Sequence, residues 1–149
     1  MRVEQTEEKL VLYIPELQID LVGPGPFTWV RTQDSEQSFQ DNVLHGASRW
    51  FTPEGKLLGE YWFWKGNRTV IGRAYYVNGN VYRIERFRGG HKQGLQEAYY
   101  EQGALKTKEH YQEGLLHGET LLYWPSGTLK RRAQFTKGAL VHDEMWDEL

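Results

Sequence analysis

Histidine is the side chain best suited to hold a metal or move a proton near neutral pH, and this chain has five: His45, His91, His110, His117 and His142. A metal site needs three or four ligands converging on one point. His45 and His117 hold the same place in an internal repeat but stand 72 residues apart. That separates them by about 29 Å if every repeat adds two strands at ~4.8 Å each. Both sit beside a glycine, so a capping or packing role is expected of them; His91 and His110 lack a carboxylate or thiol partner at ligand spacing. The chain contains no cysteine, which removes thiol nucleophiles, Cys-type zinc sites and disulfides. Ser35, Ser38, Ser48 and Ser126 lie outside any Gly-x-Ser-x-Gly elbow. Glu85, Glu97 and Glu109 suggest an acid/base couple, but Glu85 and Glu109 in adjacent repeats would stand about 10 Å apart on an open sheet with nothing to bury them. Arg88-Gly89-Gly90-His91-Lys92-Gln93-Gly94 has glycines without the spacing, or the following helix, of a phosphate loop. No catalytic residue, no metal and no cofactor is expected, and the chain reads as a non-enzyme.

The elements that position these residues follow from a period. Gly55, Gly79, Gly103 and Gly127 are spaced by 24, as are Gly66, Gly90, Gly114 and Gly138. In register with the first series come Leu57, Val81, Leu105 and Leu129, then Phe63, Phe87, Tyr111 and Phe135, and before it Phe51, Tyr75, Tyr99 and Tyr123. A third glycine recurs at Gly46, Gly94 and Gly118, but the second unit has Val70 in register and Gly72 two places late, which predicts a local bulge. Each unit reads as an aromatic-rich strand, a turn such as Val77-Asn78-Gly79-Asn80, and a second strand closing on another glycine: one β-hairpin per repeat. The expected fold is all-β, an elongated single-layer antiparallel sheet of ~24-residue hairpin repeats, about 48 Å long for five units. Residues 1–21 are expected to supply N-terminal cap strands, 22–45 a degenerate repeat, 46–140 four hairpin repeats and 141–149 an acidic C-terminal cap.

Composition bounds this reading. The 149 residues fit one domain or one short repeat array. A mean hydropathy of -0.70 argues against a deeply buried interior, while 21 aromatics argue against disorder. No apolar run reaches membrane-helix length and the first ten residues are acidic rather than signal-like, so a cytoplasmic location is expected. The net charge of -2 conceals segregation. Residues 1–44 hold three Lys/Arg against eight Asp/Glu, residues 45–140 fifteen against eight, and residues 141–149 none against four. Positional parity divides the second strands into two faces. One carries the Leu/Val and aromatic ladders; the other carries Trp62, Trp64, Arg86, Arg88, Lys106, Lys108, Lys130 and Arg132. Such a face is either a solvated surface or a partner-binding one, and two neighbouring tryptophans favour binding. The tail with Met145 and Trp146 is either a charged cap against strand addition or a further contact.

Tyr99-Tyr100-Glu101-Gln102-Gly103-Ala104-Leu105 and Leu115-Leu116-His117-Gly118, with an aromatic eight residues after the turn glycine, resemble the MORN-repeat variant family of bacterial proteins. The resemblance covers roughly residues 44–140 well and 22–43 poorly. It implies an open, repetitive β-sheet serving as a binding surface, often in antitoxins or immunity proteins, with no family catalytic residue to carry over. The leading expectation is a non-catalytic protein binder, an antitoxin or immunity protein that neutralises a cognate toxin. The alternative is a scaffolding module that binds anionic lipid or assembles end to end. Nucleic acid ranks third, since acidic flanks repel phosphate, and a hydrolase ranks last.

Overall fold

Alternating side chains between glycine-bearing turns give sixteen strands and no helix among the described residues, 3–15 and 17–148 of the computed structural model. The expectations for the two terminal caps at residues 1, 2, 16 and 149 lie outside them. The strands are β1 (Val3–Gln5), β2 (Lys9–Ile14), β3 (Ile19–Pro24), β4 (Thr28–Arg31), β5 (Ser35–Gln40), β6 (Val43–Phe51), β7 (Leu57–Trp64), β8 (Asn67–Tyr75), β9 (Val81–Arg88), β10 (His91–Lys92), β11 (Gly94–Tyr99), β12 (Leu105–Gln112), β13 (Leu115–Leu116), β14 (Gly118–Tyr123), β15 (Leu129–Thr136) and β16 (Ala139–Met145). β4 to β16 form one antiparallel hairpin-connected sheet with β4 and β16 at its edges; β1 to β3 form a separate three-stranded sheet.

Two turn types alternate along the long sheet. In the first, the amides of Gly55, Gly79, Gly103 and Gly127 each donate to the carbonyl three residues back at 2.9 Å, with φ from +87° to +105°. In the second, Gly66, Gly90, Gly114 and Gly138 donate to the carbonyls of Leu44, Arg68, Lys92 and Leu116 at 2.7 to 3.2 Å, tying each hairpin to the one before. All eight hold a left-handed backbone that only glycine enters freely.

The second unit shows why its glycine is displaced. Val70 occupies the register position of Gly46, Gly94 and Gly118 and has their left-handed backbone, φ +59°, despite its branched β-carbon. It is 5% exposed, so burial offsets the strain. Gly72 serves a different purpose. It lies directly across from Tyr61, whose ring covers it so closely that a β-carbon would sit 2.3 Å from the ring. The register between β7 and β8 shifts at this point, as the bulge expectation required.

A single sheet buries too little apolar surface for its length, and the N-terminal strands supply the missing layer. Leu10 and Leu12 of β2 are fully buried against Ala47, Trp62, Val70 and Ile71, with Trp29, Trp64 and Ile84 around them. Each such large side chain contributes about 1.5–3 kcal/mol. Gln5 locks the layers together: its amide donates to Ser38 Oγ (2.8 Å) and accepts from the Ala47 amide (3.0 Å). The small sheet thus lies on the face of β5 to β8 instead of extending the array, and it runs to Pro24, past residue 21. From β11 to β16 no described element covers either face.

Replacing Gly72 with Ala is expected to cost about 1–3 kcal/mol in urea unfolding through forced displacement of the Tyr61 ring. An unchanged unfolding midpoint would mean that the ring does not lie on the glycine.

Candidate interaction surface

Register places the predicted residues. Across the sheet run the opposed positions Ile84, Glu97, Lys108, Leu121, Arg132 and Glu144, each facing the next on the adjoining strand. Directly opposed residues share a face, so parity puts Arg86, Arg88, Lys106, Lys108, Lys130 and Arg132 on one side. This is also the side on which the small sheet sits, through Trp62 and Ile71.

Trp62 is a correction. It was expected to be displayed for binding, but it is 5% exposed. Its ring is core between Leu12 and Ala47, its Nε1 donates to Glu60 (3.2 Å), and the Arg49 guanidinium lies 5.6 Å from the ring centroid. The covering layer was invisible to parity, which orders a strand's faces without saying what lies on them. Trp64 is half-buried, 4.8 Å from the His45 ring, and forms the floor of an apolar groove of about 270 Å³ with Ile14, Leu17, Ile19, Leu21 and Arg88.

The cations are not equally available. Arg86 is held by the Glu97 carboxylate and the Leu95 carbonyl, both at 3.0 Å. Lys108 is half-buried opposite Glu97. Lys106 lies 5.5 Å from the Tyr100 ring and Lys130 lies 4.4 Å from that of Trp124. Arg132 makes a 3.3 Å ion pair with Glu119, both side chains about half exposed, a geometry that contributes little and exchanges readily. Arg88, Lys106, Lys130 and Arg132 face solvent.

The opposite face holds what sequence reasoning undervalued. Glu85 was expected to be unburied on an open sheet, but it is 6% exposed. It accepts from the Tyr61 hydroxyl and pairs with Arg83 (3.1 Å) and Lys92 (3.5 Å). Burial first, and the Glu85 carboxylate second, push the Tyr61 phenol up to about 12. Glu85 borders a cavity of about 220 Å³ that also meets Gln96, Tyr99 and Glu109. Its sequence signature was a carboxylate on the strand face that carries Val81 and Phe87. Gln96 left no such trace, because its partner is main chain: its side-chain amide accepts from the Arg86 amide (2.7 Å) and donates to the Arg86 carbonyl (2.9 Å), filling a gap between β9 and β11. At the equivalent place in the next unit Thr120 is too short to do this, and its buried hydroxyl has no protein partner.

The histidine expectation resolves into a repeated clamp. His45 Nδ1 accepts from the Lys65 amide (2.9 Å) and His117 Nδ1 from the Lys137 amide (3.1 Å); Gln93, in the same repeat position, accepts from the Glu113 amide (2.8 Å). All three donors have φ near +50°. The ring must be neutral at Nδ1 to accept. Burial, then Lys65, lowers the His45 pKa from 6.5, with Asp41 opposing.

Protons are therefore taken up by unfolded but not folded His45 once pH falls below about 6.5. Its contribution to stability is complete above that value, declines toward its lowered folded pKa, and is flat beyond. His45→Gln, which copies Gln93, is expected to remove this component. The difference in unfolding free energy between wild type and variant should vary with pH only in that window, and a pH-independent difference would refute the clamp.

Three segments, residues 44–65, 92–113 and 116–137, match the MORN repeat variant model. No curated protein matches the chain. The unmatched interval between the first and second segments holds the unit in which Val70 replaces glycine. Over these three segments the chain is similar to the MORN repeat variant.

Proposed function

We propose that this chain is a non-catalytic protein-binding module whose basic flank takes an acidic surface of a partner protein. One observation carries the reading: Arg88, Lys106, Lys130 and Arg132 are exposed on the part of the Trp62 face that the N-terminal sheet does not cover. The strands are ordered by backbone pairing before any partner arrives, so little conformational freedom is lost on binding. Arg88 borders the groove floored by Trp64, which suits a partner segment that sets an apolar side chain beside a carboxylate. A cognate toxin is the special case that the bacterial resemblance suggests, and its support is that resemblance. MORN-type repeats also serve at membranes, and an anionic lipid surface would meet the same cations.

The combined change Arg88→Glu, Lys106→Glu, Lys130→Glu and Arg132→Glu should leave the melting temperature within a few degrees. It should reduce recovery of a co-purifying protein from the source cells at least tenfold, read by quantitative mass spectrometry. Undiminished recovery would overturn the proposal. Cosedimentation with phosphatidylglycerol vesicles that is strong in the native chain and lost in the variant would replace the protein partner with a lipid surface.

A further inference from the structure

The two edges of the long sheet are built differently. β4 is four residues long, follows Pro24 and Pro26, and adjoins the small sheet through Phe27 and Trp29. Prolines and short length are the usual protection against unwanted pairing. β16 is seven residues long, no proline occurs from residue 126 onward, and its apolar side chains face solvent: Leu140 49%, Val141 58% and Met145 73% exposed. The amide of Trp146 donates inward to the Lys130 carbonyl (2.9 Å). Amides alternate along a strand, so that of Met145 points outward, toward whatever would pair with the edge.

The sheet itself indicates what that partner carries. Within the array, Glu97 faces Lys108 and Leu121 faces Arg132 on the following strand. β16 runs one residue out of phase with β14, since Lys108 faces Leu121 whereas Arg132 faces Glu144. The slip puts a carboxylate where β14 has a leucine. The position outside Glu144 is thus the one that Lys108 takes outside Glu97 and Arg132 outside Leu121. Asp143 is occupied on its own sheet by a bidentate Arg131 (2.7 and 3.0 Å), which holds it below the usual carboxylate range. Glu144 meets the exposed His142 at 3.1 Å, while Arg132 opposite it is ion-paired with Glu119. Residues 143–148 carry four carboxylates and no Lys or Arg, so a second β16 would set like charges together.

We infer that β16 is a docking edge for an extended basic segment of another protein, added as an antiparallel strand with a Lys or Arg opposite Glu144. Main-chain pairing supplies the affinity, and the carboxylates select the partner. Glu144 adjoins Arg132 of the basic flank, but Met145→Pro acts on an outward main-chain amide and alters none of the four cations, so the two readings fail by different variants.

The probe is a fluorescein-labelled peptide with the sequence of residues 127–137, the basic strand that already pairs with a carboxylate-bearing neighbour. Titrating the full chain against it should give saturable anisotropy. Met145→Pro, which removes an outward amide without touching the β15 ladder, and Glu144→Gln, which removes the charge without setting a cation opposite Arg132, should each weaken binding at least tenfold with an unchanged melting temperature. A version of the peptide with Pro in place of Ala133 should bind at least tenfold more weakly at equal charge. Absent binding, equal binding by the Pro peptide, or equal binding by the Met145→Pro chain would overturn the inference. So would a concentration-dependent dimer in sedimentation that Met145→Pro abolishes, which would make the occupant a second copy.

Discussion

The structure depends on a left-handed turn that recurs every 24 residues and sets the register of each strand on the last. In a sheet, a slip of one residue exchanges its two faces, so a long array stays coherent only if each junction is fixed locally. Here the junction is fixed twice. A glycine amide returns to a carbonyl of the previous hairpin, and a side-chain acceptor, His45, Gln93 or His117, holds the left-handed residue before it. Further ties join successive units: Tyr76 and Tyr100 donate their hydroxyls to the carbonyls of Tyr99 and Tyr123, both at 2.7 Å. Two of the five histidines that first suggested metal chemistry, His45 and His117, serve this geometry.

The consequence of that regularity is an imbalance in burial. A repeat that pairs well with its neighbours needs nothing on its faces, and among the described residues no element covers those of the later strands. The earlier strands are different because their inward side chains are large and apolar, with Trp62 where the later units have Arg86, His110 and Gln134, and Ile71 where they have Leu95, Glu119 and Asp143. Those residues require a lid, and β1 to β3 are apolar enough to be one. The same lid that stabilises one end defines where the exposed basic flank begins.

Charge is distributed by the same logic. Arg86 with Glu97 and Arg131 with Asp143 neutralise each other across neighbouring strands, so the segregation seen along the chain is partly cancelled in space. What survives lies at the periphery: exposed cations on the open flank, and carboxylates along β16. Glu85 shows the opposite case, a carboxylate buried on an open sheet because Tyr61, Arg83 and Lys92 close around it.

The architecture was legible in the amino-acid sequence because every repeat restates the same local rule. Glycines at fixed spacing, aromatic positions in register and the displaced Gly72 are short-range facts, and backbone pairing converts them directly into hairpins. The sharing of one face by the basic residues was legible for the same reason. Not legible were the burial of Trp62, the enclosure of Glu85, the peptide-like role of Gln96 and the slipped register of β16. Each depends on which distant segment arrives on a face or closes a gap, and alternation along a strand is silent about that. Local chemistry determined the sheet; packing between segments far apart in the chain decided which of its surfaces remain open.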